Sequence, residues 1–297
     1  MTDRLTIQAG ESVLFIDHKE REYLRTLRPG SVIALRGGNI PAEQFIGLPE
    51  GSLIRVGQSD LFRILRPTYA HLIPNLPRQA QVIYPKDIGP MLLWGDVYPG
   101  ARVLEIGSGP GALTMALLRA IGADGHLLTV DIRTDHCKMA RNNVKRFVGA
   151  TPNWTLAQTD AYRGLPVQSV DRIFIDLPEP WQVLPHARTV LRPGGVLVGY
   201  SPTVLQVKSL VDALHADPVF ESVEVMENML RFWHVKDISI RPEHRMVAHT
   251  GFIMVARRVT DTGAITVKSE KQLKQEQQEQ KEQQEAQQAE ALANEPE

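Results

Sequence analysis

Cys137 is the only cysteine in the chain, which excludes an intrachain disulfide and a thiolate zinc cage and leaves a buried or half-buried structural thiol. Long apolar runs are missing too. None approaches the roughly 20 residues of a membrane-spanning helix, so no membrane segment is expected. The N-terminus has no apolar stretch behind its first basic residue, Arg4, which argues against a secretory leader and makes a cytoplasmic location the default. Net charge is nearly absent at −1, but that total hides an asymmetry. Lys268 to Glu297 holds four Lys and eight Glu, leaving residues 1–267 at +3. A body this mildly basic does not reveal a nucleic-acid partner by total charge. Such a partner has to be held by a local patch or by a groove shared between subunits.

What is present is ordinary for a globular protein, at 43% hydrophobic and 23% charged residues, and long enough at 297 residues for one substantial domain plus a module or tail. Residues 261–297 are Gln/Glu-rich and nearly free of large apolar side chains, so they read as a disordered tail or a fluctuating solvated helix. An apolar coiled-coil seam is absent there. Residues 1–75 alternate short β-like runs, at 12–16, 31–35, 52–56 and 61–65, with breakers such as Pro29, Gly30, Gly37 and Gly38. That spacing suits a small β-barrel or sandwich. Residues 76–260 then alternate strand and helix. Strands are predicted at 102–106, 126–131, 154–158, 171–176, 195–200, 220–226 and 252–257, and helices at 112–121, 134–147, 183–191 and 204–215. Such alternation implies an α/β domain, a mostly parallel sheet with helices on both faces.

The first of these strands runs into Gly107, Ser108, Gly109, Pro110 and Gly111, followed by Ala112 and Leu113 at a helix start. Glycines are needed where the backbone turns sharply and approaches a ligand without a Cβ in the way, and Pro110 suits the first turn of the helix. Taken alone the loop is compatible with NAD binding or with a tight turn. Carboxylates at strand ends sharpen it. Asp131 closes the second strand, where an acid can take both ribose hydroxyls. Asp160 follows the third, placed to accept from an adenine amino group, and Glu105 in the first can position the loop or the amino-acid portion of a cofactor. Each acid also has an ordinary reading as a helix cap or solvated loop residue. The order glycine loop, Asp131, Asp160 resembles that of class I S-adenosylmethionine methyltransferases, a Rossmann-like fold.

Four segments are more specific: residues 78–89 (RQAQVIYPKDIG), 105–114 (EIGSGPGALT), 176–181 (DLPEPW) and 241–252 (RPEHRMVAHTGF). In this order they resemble the tRNA (adenine-58-N1) methyltransferase family, over roughly residues 5–258 and excluding the tail. The resemblance implies an N-terminal β-module, a Rossmann-like catalytic domain, S-adenosyl-L-methionine as cofactor, tRNA as partner and a homotetramer. It matches the catalytic carboxylate to Asp176 and aromatic residues near the target base to Tyr84 and Tyr200. The chain departs from the pattern at Ala248 for a glycine, Pro110 for a serine, Asp131 for a glutamate, and His136 at a cofactor-side position that is often basic.

The chemistry fits that assignment. Adenine N1 is neutral and already has a lone pair, so methyl transfer from a sulfonium needs alignment rather than a strong base. The ring becomes cationic as the bond forms, and Asp176 can accept a hydrogen bond from N6 and stabilise that charge. A base in a folded loop has to be extruded, and stacking compensates its loss of neighbours. Tyr84, Tyr200 and Trp181 are the stacking candidates, with core packing as the alternative for each. Arg241, His244, Arg245 and His249 either contact phosphate or pin a loop over the base. Two other functions stay open from sequence: a non-catalytic RNA-binding subunit of a methyltransferase complex, and a protein or small-molecule methyltransferase on the same fold.

Overall fold

The computed structural model describes residues 5–77, 81–260 and 262–293. The chain divides into two compact units, Met1–Val259 and Thr260–Glu297.

The larger unit begins with six strands: β1 (Ser12–Asp17), β2 (Glu22–Thr26), β3 (Val32–Leu35), β4 (Gly38–Pro41), β5 (Leu53–Val56) and β6 (Asp60–Leu65). Four of them form an antiparallel sheet in the order β2-β1-β6-β5, and β3 and β4 form a separate hairpin. Alternation puts Val13, Phe15, Phe62 and Ile64 on one face, where they share a core with Ile33 and Leu35 of the hairpin and with Phe45. Two small layers over one core realise the expected sandwich. Strands β2 and β4 escape the sequence pattern because β2 buries no residue fully and β4 is half Gly and Pro. Helix α1 (Tyr69–Leu72) and a following 3₁₀ turn lead onward, and Ile73 and Leu76 already belong to the next core.

The remainder is a seven-stranded sheet in the order β12-β15-β11-β10-β7-β8-β9. Its strands are β7 (Arg102–Ile106), β8 (His126–Asp131), β9 (Trp154–Gln158), β10 (Val170–Ile175), β11 (Leu191–Ser201), β12 (Phe220–Glu227) and β15 (Phe252–Arg258), and β15 runs opposite to the other six. Helices α2 (Pro85–Trp94), α3 (Ala112–Ile121) and α4 (Thr134–Phe147) contribute to the core that contains Val103 and Phe174. Helices α5 (Leu184–Val190) and α6 (Val204–Ala216) contribute to the core that contains Leu104, Ile173 and Ile175. Neighbouring strand residues thus serve opposite faces, as a sheet covered on both sides requires. Helix α3 is apolar nearly throughout, with eight of its ten residues buried, which marks an inner helix. Cys137 is a buried free thiol on α4, as expected from its isolation.

Two elements were not legible in advance. Helix α2 starts on Pro85, a position that tolerates proline, but carries Gly89 and an internal Pro90, both of which read as breakers. A hairpin of β13 (Trp233–Lys236) and β14 (Ser239–Pro242) leaves Val235, Ile238 and Ile240 exposed. In the second unit the segment 270–293 is helix α7 (Glu270–Ala293), the solvated-helix form of the expected tail. Its side chains pair along the helix surface, as in Lys274 with Glu270 at 2.6 Å. Among the described residues, no helix is long and apolar enough to cross a membrane, and no cluster of His, Cys, Asp or Glu could hold a metal ion.

Candidate active site

In the sheet order, β8 and β9 extend from β7 in one direction and β10 and β11 in the other, so the direction in which strands are added across the sheet reverses between β7 and β10. A crevice forms at the carboxyl ends of strands flanking such a switch point. Both decisive segments lie there. Gly107 follows β7 and Asp176 follows β10, and the Asp176 backbone N–H donates to the Ile106 carbonyl at 2.8 Å. At Gly107 φ is +95°, and a Cβ would stand 2.2 Å from the Asp176 carbonyl oxygen. The glycine turn and the carboxylate-bearing loop are therefore in van der Waals contact through their backbones. Pro110 does not occupy the first turn of α3 as anticipated. It precedes Gly111, the N-cap, and its carbonyl accepts from Asn143 Nδ2 of α4 at 2.8 Å.

Three carboxylates surround this turn. Asp131 is 7% exposed, and its Oδ2 accepts from Ser108 N at 2.9 Å, Ser108 Oγ at 2.9 Å and Gly109 N at 3.3 Å, with His136 Nδ1 at 3.2 Å. Its Oδ1 accepts from Arg133 N at 2.9 Å. Asp131 thus shapes the loop as well as facing it. Glu105 Oε2 accepts from the hydroxyls of Thr114 and Thr129, each at 2.7 Å, while Oε1 is buried without a partner. Burial pushes the Glu105 carboxyl up to about 8, the threonine hydroxyls oppose the shift, and the charges of Asp176 and Asp131 add to it. Asp176 is half-buried, and burial together with the Asp131 charge raises it to about 7. Asp160 is more open; it accepts from Tyr162 N at 3.0 Å and pairs with Arg163 at 3.3 Å.

Asp176 opens into a cleft of about 450 Å³ whose walls include Tyr84, Tyr200, Val247, His249 and Thr250. A buried network behind the cleft fixes these walls. Asp87 of α2, fully buried, accepts on Oδ2 from Thr250 Oγ1 at 2.5 Å and from the Tyr200 hydroxyl at 3.4 Å. Lys86 Nζ neutralises Oδ1 at 2.8 Å and donates to the Asn228 carbonyl at 2.7 Å. Burial holds the Tyr200 hydroxyl well above the usual phenol range, so it acts as a neutral donor. Gly251 lets the ring lie where it does, since a Cβ there would be 2.4 Å from Tyr200 Cζ. His249 has an acceptor at each nitrogen, Glu227 Oε1 at 2.7 Å and the Pro202 carbonyl at 2.8 Å. The hydrogen bond to Glu227 raises its pKa, which suits a doubly protonated ring.

The structure therefore brings Asp176, Tyr84, Tyr200 and His249 into one cleft beside Gly107, with Ser108 and Gly109 tied to Asp131. Other expected site residues sit elsewhere. Trp181 packs against the core beneath α5 and α6 and is not among the cleft walls. Arg241 is exposed on β14, and His244 and Arg245 line a neighbouring cavity. Asp87, Lys86 and Thr250 went unassigned from sequence. Asp87 and Lys86 lie in the 78–89 segment, whose first three residues are outside the described ones, but adjacent opposite charges in a helix's first turn carry no sequence sign of burial.

Two family models match the chain, one described as the tRNA methyltransferase complex GCD14 subunit over residues 61–297 and one described as TrmI-like N-terminal over residues 6–54. A curated relative from Thermus thermophilus, named tRNA (adenine(58)-N(1))-methyltransferase TrmI, is 33% identical over 83% of this chain and 96% of its own length. One from Methanocaldococcus jannaschii, named tRNA (adenine(57)-N(1)/adenine(58)-N(1))-methyltransferase TrmI, is 29% identical over 82% and 94%. Among solved structures, a protein of Thermotoga maritima described as a SAM-dependent O-methyltransferase superposes with a TM-score of 0.82 at 29% identity, covering 87% of this chain and 97% of its own. The tRNA (m1A58) methyltransferase TrmI of Aquifex aeolicus does so with 0.76 at 29%, covering 86% and 99%.

Proposed function

This chain belongs to the tRNA methyltransferase complex GCD14 subunit family, and from that premise we propose that it transfers a methyl group from S-adenosylmethionine to N1 of an adenine, at position 58 of the T loop, in tRNA. The observation that carries the reading is the placement of Asp176. Its backbone touches the glycine turn while its side chain faces a cleft walled by two tyrosines.

The residues around the turn suit that cofactor. Glu105 Oε1 and His136 Nε2 are buried polar atoms without partners, and the side of Gly109 where a Cβ would project is open. Asp131 would hold the ribose, Asp160 the adenine amino group, and the turn from Gly107 to Leu113 the backbone side of the ligand. Bound there, S-adenosylmethionine supplies a methyl group already activated on a sulfonium. Asp176 accepts from the target's N6 amino group and orients N1. As the new bond to N1 forms the ring becomes positive, and the same carboxylate stabilises it in a half-dry cleft, where charge counts for more than in water. Tyr84 and Tyr200 cover the extruded base, offsetting its lost stacking.

We also infer a division into a β-module over residues 1–75 and a catalytic domain over 76–260, and assembly as a homotetramer through the apolar hairpin tip, where Val235, Ile238 and Ile240 are exposed. A cytoplasmic site of action fits a tRNA substrate. The similarity to the Thermotoga O-methyltransferase motivates one second reading, methyl transfer to oxygen. Nucleoside mass spectrometry of tRNA incubated with the purified protein and S-adenosylmethionine separates the two. 1-Methyladenosine is expected, and unmodified tRNA or a ribose-methylated product would refute the adenine reading.

A further inference from the structure

The cleft beside Asp176 has a neighbour. Tyr84 and Val247 are walls of that cleft and also of a second cavity of about 640 Å³, within the usual range for a small-molecule site. The second cavity contains no residue of the glycine turn and not Asp176, so the methyl transfer leaves it without a role. Its apolar walls include Leu230, Phe232 and Met246, and His244 and Arg245 stand at it. The backbone there is held by an isolated bridge between Leu230 and Val247 and by the Glu243 N–H donating to the Phe232 carbonyl at 2.8 Å. Phe232 is 64% exposed, so the ring is presented rather than packed. Among the described residues neither His244 nor Arg245 has a hydrogen-bond or ion-pair partner. No Asp or Glu among the described residues lines the cavity.

We infer that this cavity takes a nucleotide flanking the target adenine, with its base against Phe232 and Leu230 and its phosphate at Arg245. The inference rests on the RNA-methylating reading and extends it to the substrate's neighbouring base. An adenine drawn into the Asp176 cleft stays joined to the nucleotides on either side, and extrusion strips them of a stacking partner. A cavity sharing two walls with the cleft is the nearest place to restore that stacking. Aromatic and apolar walls accept the face of any base, and the unpaired Arg245 guanidinium complements a phosphate. The adenine cleft carries the Asp176 carboxylate, whereas its neighbour carries Arg245. That charge division matches a base whose amino group donates and a backbone that is anionic. A second copy of the chain is the competing occupant, because the walls continue into the exposed hairpin.

The test uses full-length tRNA assembled by ligation in three forms: intact, abasic on the 5′ side of the target, and abasic on the 3′ side. Binding by fluorescence anisotropy and methylation are measured for the unmodified protein, Phe232→Ala and Arg245→Gln, with oligomeric state followed by sedimentation. One abasic form should weaken binding to the unmodified protein roughly 5- to 150-fold, the range of one lost base stack, and Phe232→Ala should abolish that difference. Arg245→Gln should lower the slope of log affinity against log salt by about 0.7. Equal abasic effects in both proteins, no abasic effect, or an unchanged salt slope overturns the assignment. A shift of Phe232→Ala to smaller species gives the cavity to a second copy and also overturns it. Anisotropy reads the cavity without turnover, so failure to methylate intact tRNA counts against the proposed activity alone.

Discussion

Replacing Gly107 by alanine tests the contact on which the site is built. A Cβ at this position would sit 2.2 Å from the Asp176 carbonyl oxygen, whereas real Cβ atoms keep at least 3.0 Å from such a neighbour. The obstacle is backbone, with no side chain to swing aside, so the gap between β7 and β10 has to open by about 0.8 Å. Displacements near 1 Å in a reacting constellation cost on the order of 100-fold in rate. The +95° φ adds backbone strain of about 1–2 kcal/mol, which lowers Tm by a few degrees. Gly100→Ala is the control. It has φ +89° with nothing within 4 Å of a Cβ, so it carries the strain without the collision. Single-turnover methylation and thermal melts of both variants separate the two effects. Gly107→Ala should lose about 100-fold in rate and Gly100→Ala should lose only Tm. Equal rates for the pair would refute the claim that the turn and the Asp176 loop are held in register by contact.

Four further outcomes follow from the same geometry. Asp176 is raised to about 7 and must be ionised to accept from N6, so the methylation rate should climb tenfold per pH unit below about 7 and level off above it; a flat profile between pH 5.5 and 7 contradicts this. Because its folded value exceeds its unfolded value of about 3.8, the folded state holds the extra proton between these limits, and stability falls as pH rises through that window. Asp176→Asn should therefore gain about 1–3 kcal/mol over the parent at pH 8 relative to pH 4, read from denaturant midpoints. Asp87→Ala leaves Lys86 buried without its partner and should cost about 3–5 kcal/mol, whereas the charge-free Lys86→Met/Asp87→Asn pair should recover most of that in the same titration. Truncation after Val259 should leave methylation unchanged, since the unit Met1–Val259 contains every element of the cleft.

The sequence was legible wherever local pattern and tertiary role coincide. Helices α3 and α4 have the bounds expected from their spacing, 112–121 and 134–147, because an apolar inner helix and an amphipathic outer one state their burial in their periodicity. The strand ends carrying Asp131 and Asp176 were equally plain, since the fold places ligands there. Helix α2 was not, because Gly89 and Pro90 argue against a helix that core packing through Ile88 and Met91 nonetheless stabilises. The network of Asp87 with Tyr200 and Thr250 joins residues 113 and 163 positions apart, a separation at which no spacing rule operates. Trp181 illustrates the converse. Its motif drew attention to the side chain, while the structure packs the partly buried ring against the core and leaves Asp176 of the same motif facing the cleft.

The most direct test of the central claim compares Asp176→Ala with the parent protein for S-adenosylmethionine affinity, by calorimetry, and for the single-turnover rate of 1-methyladenosine formation in tRNA. The cofactor dissociation constant should hold within a few-fold while the rate falls by about 100- to 1,000-fold, as when a charge-stabilising group is removed from a transition state. A variant that methylates at the parental rate would show that the carboxylate beside Gly107 has no part in the transfer.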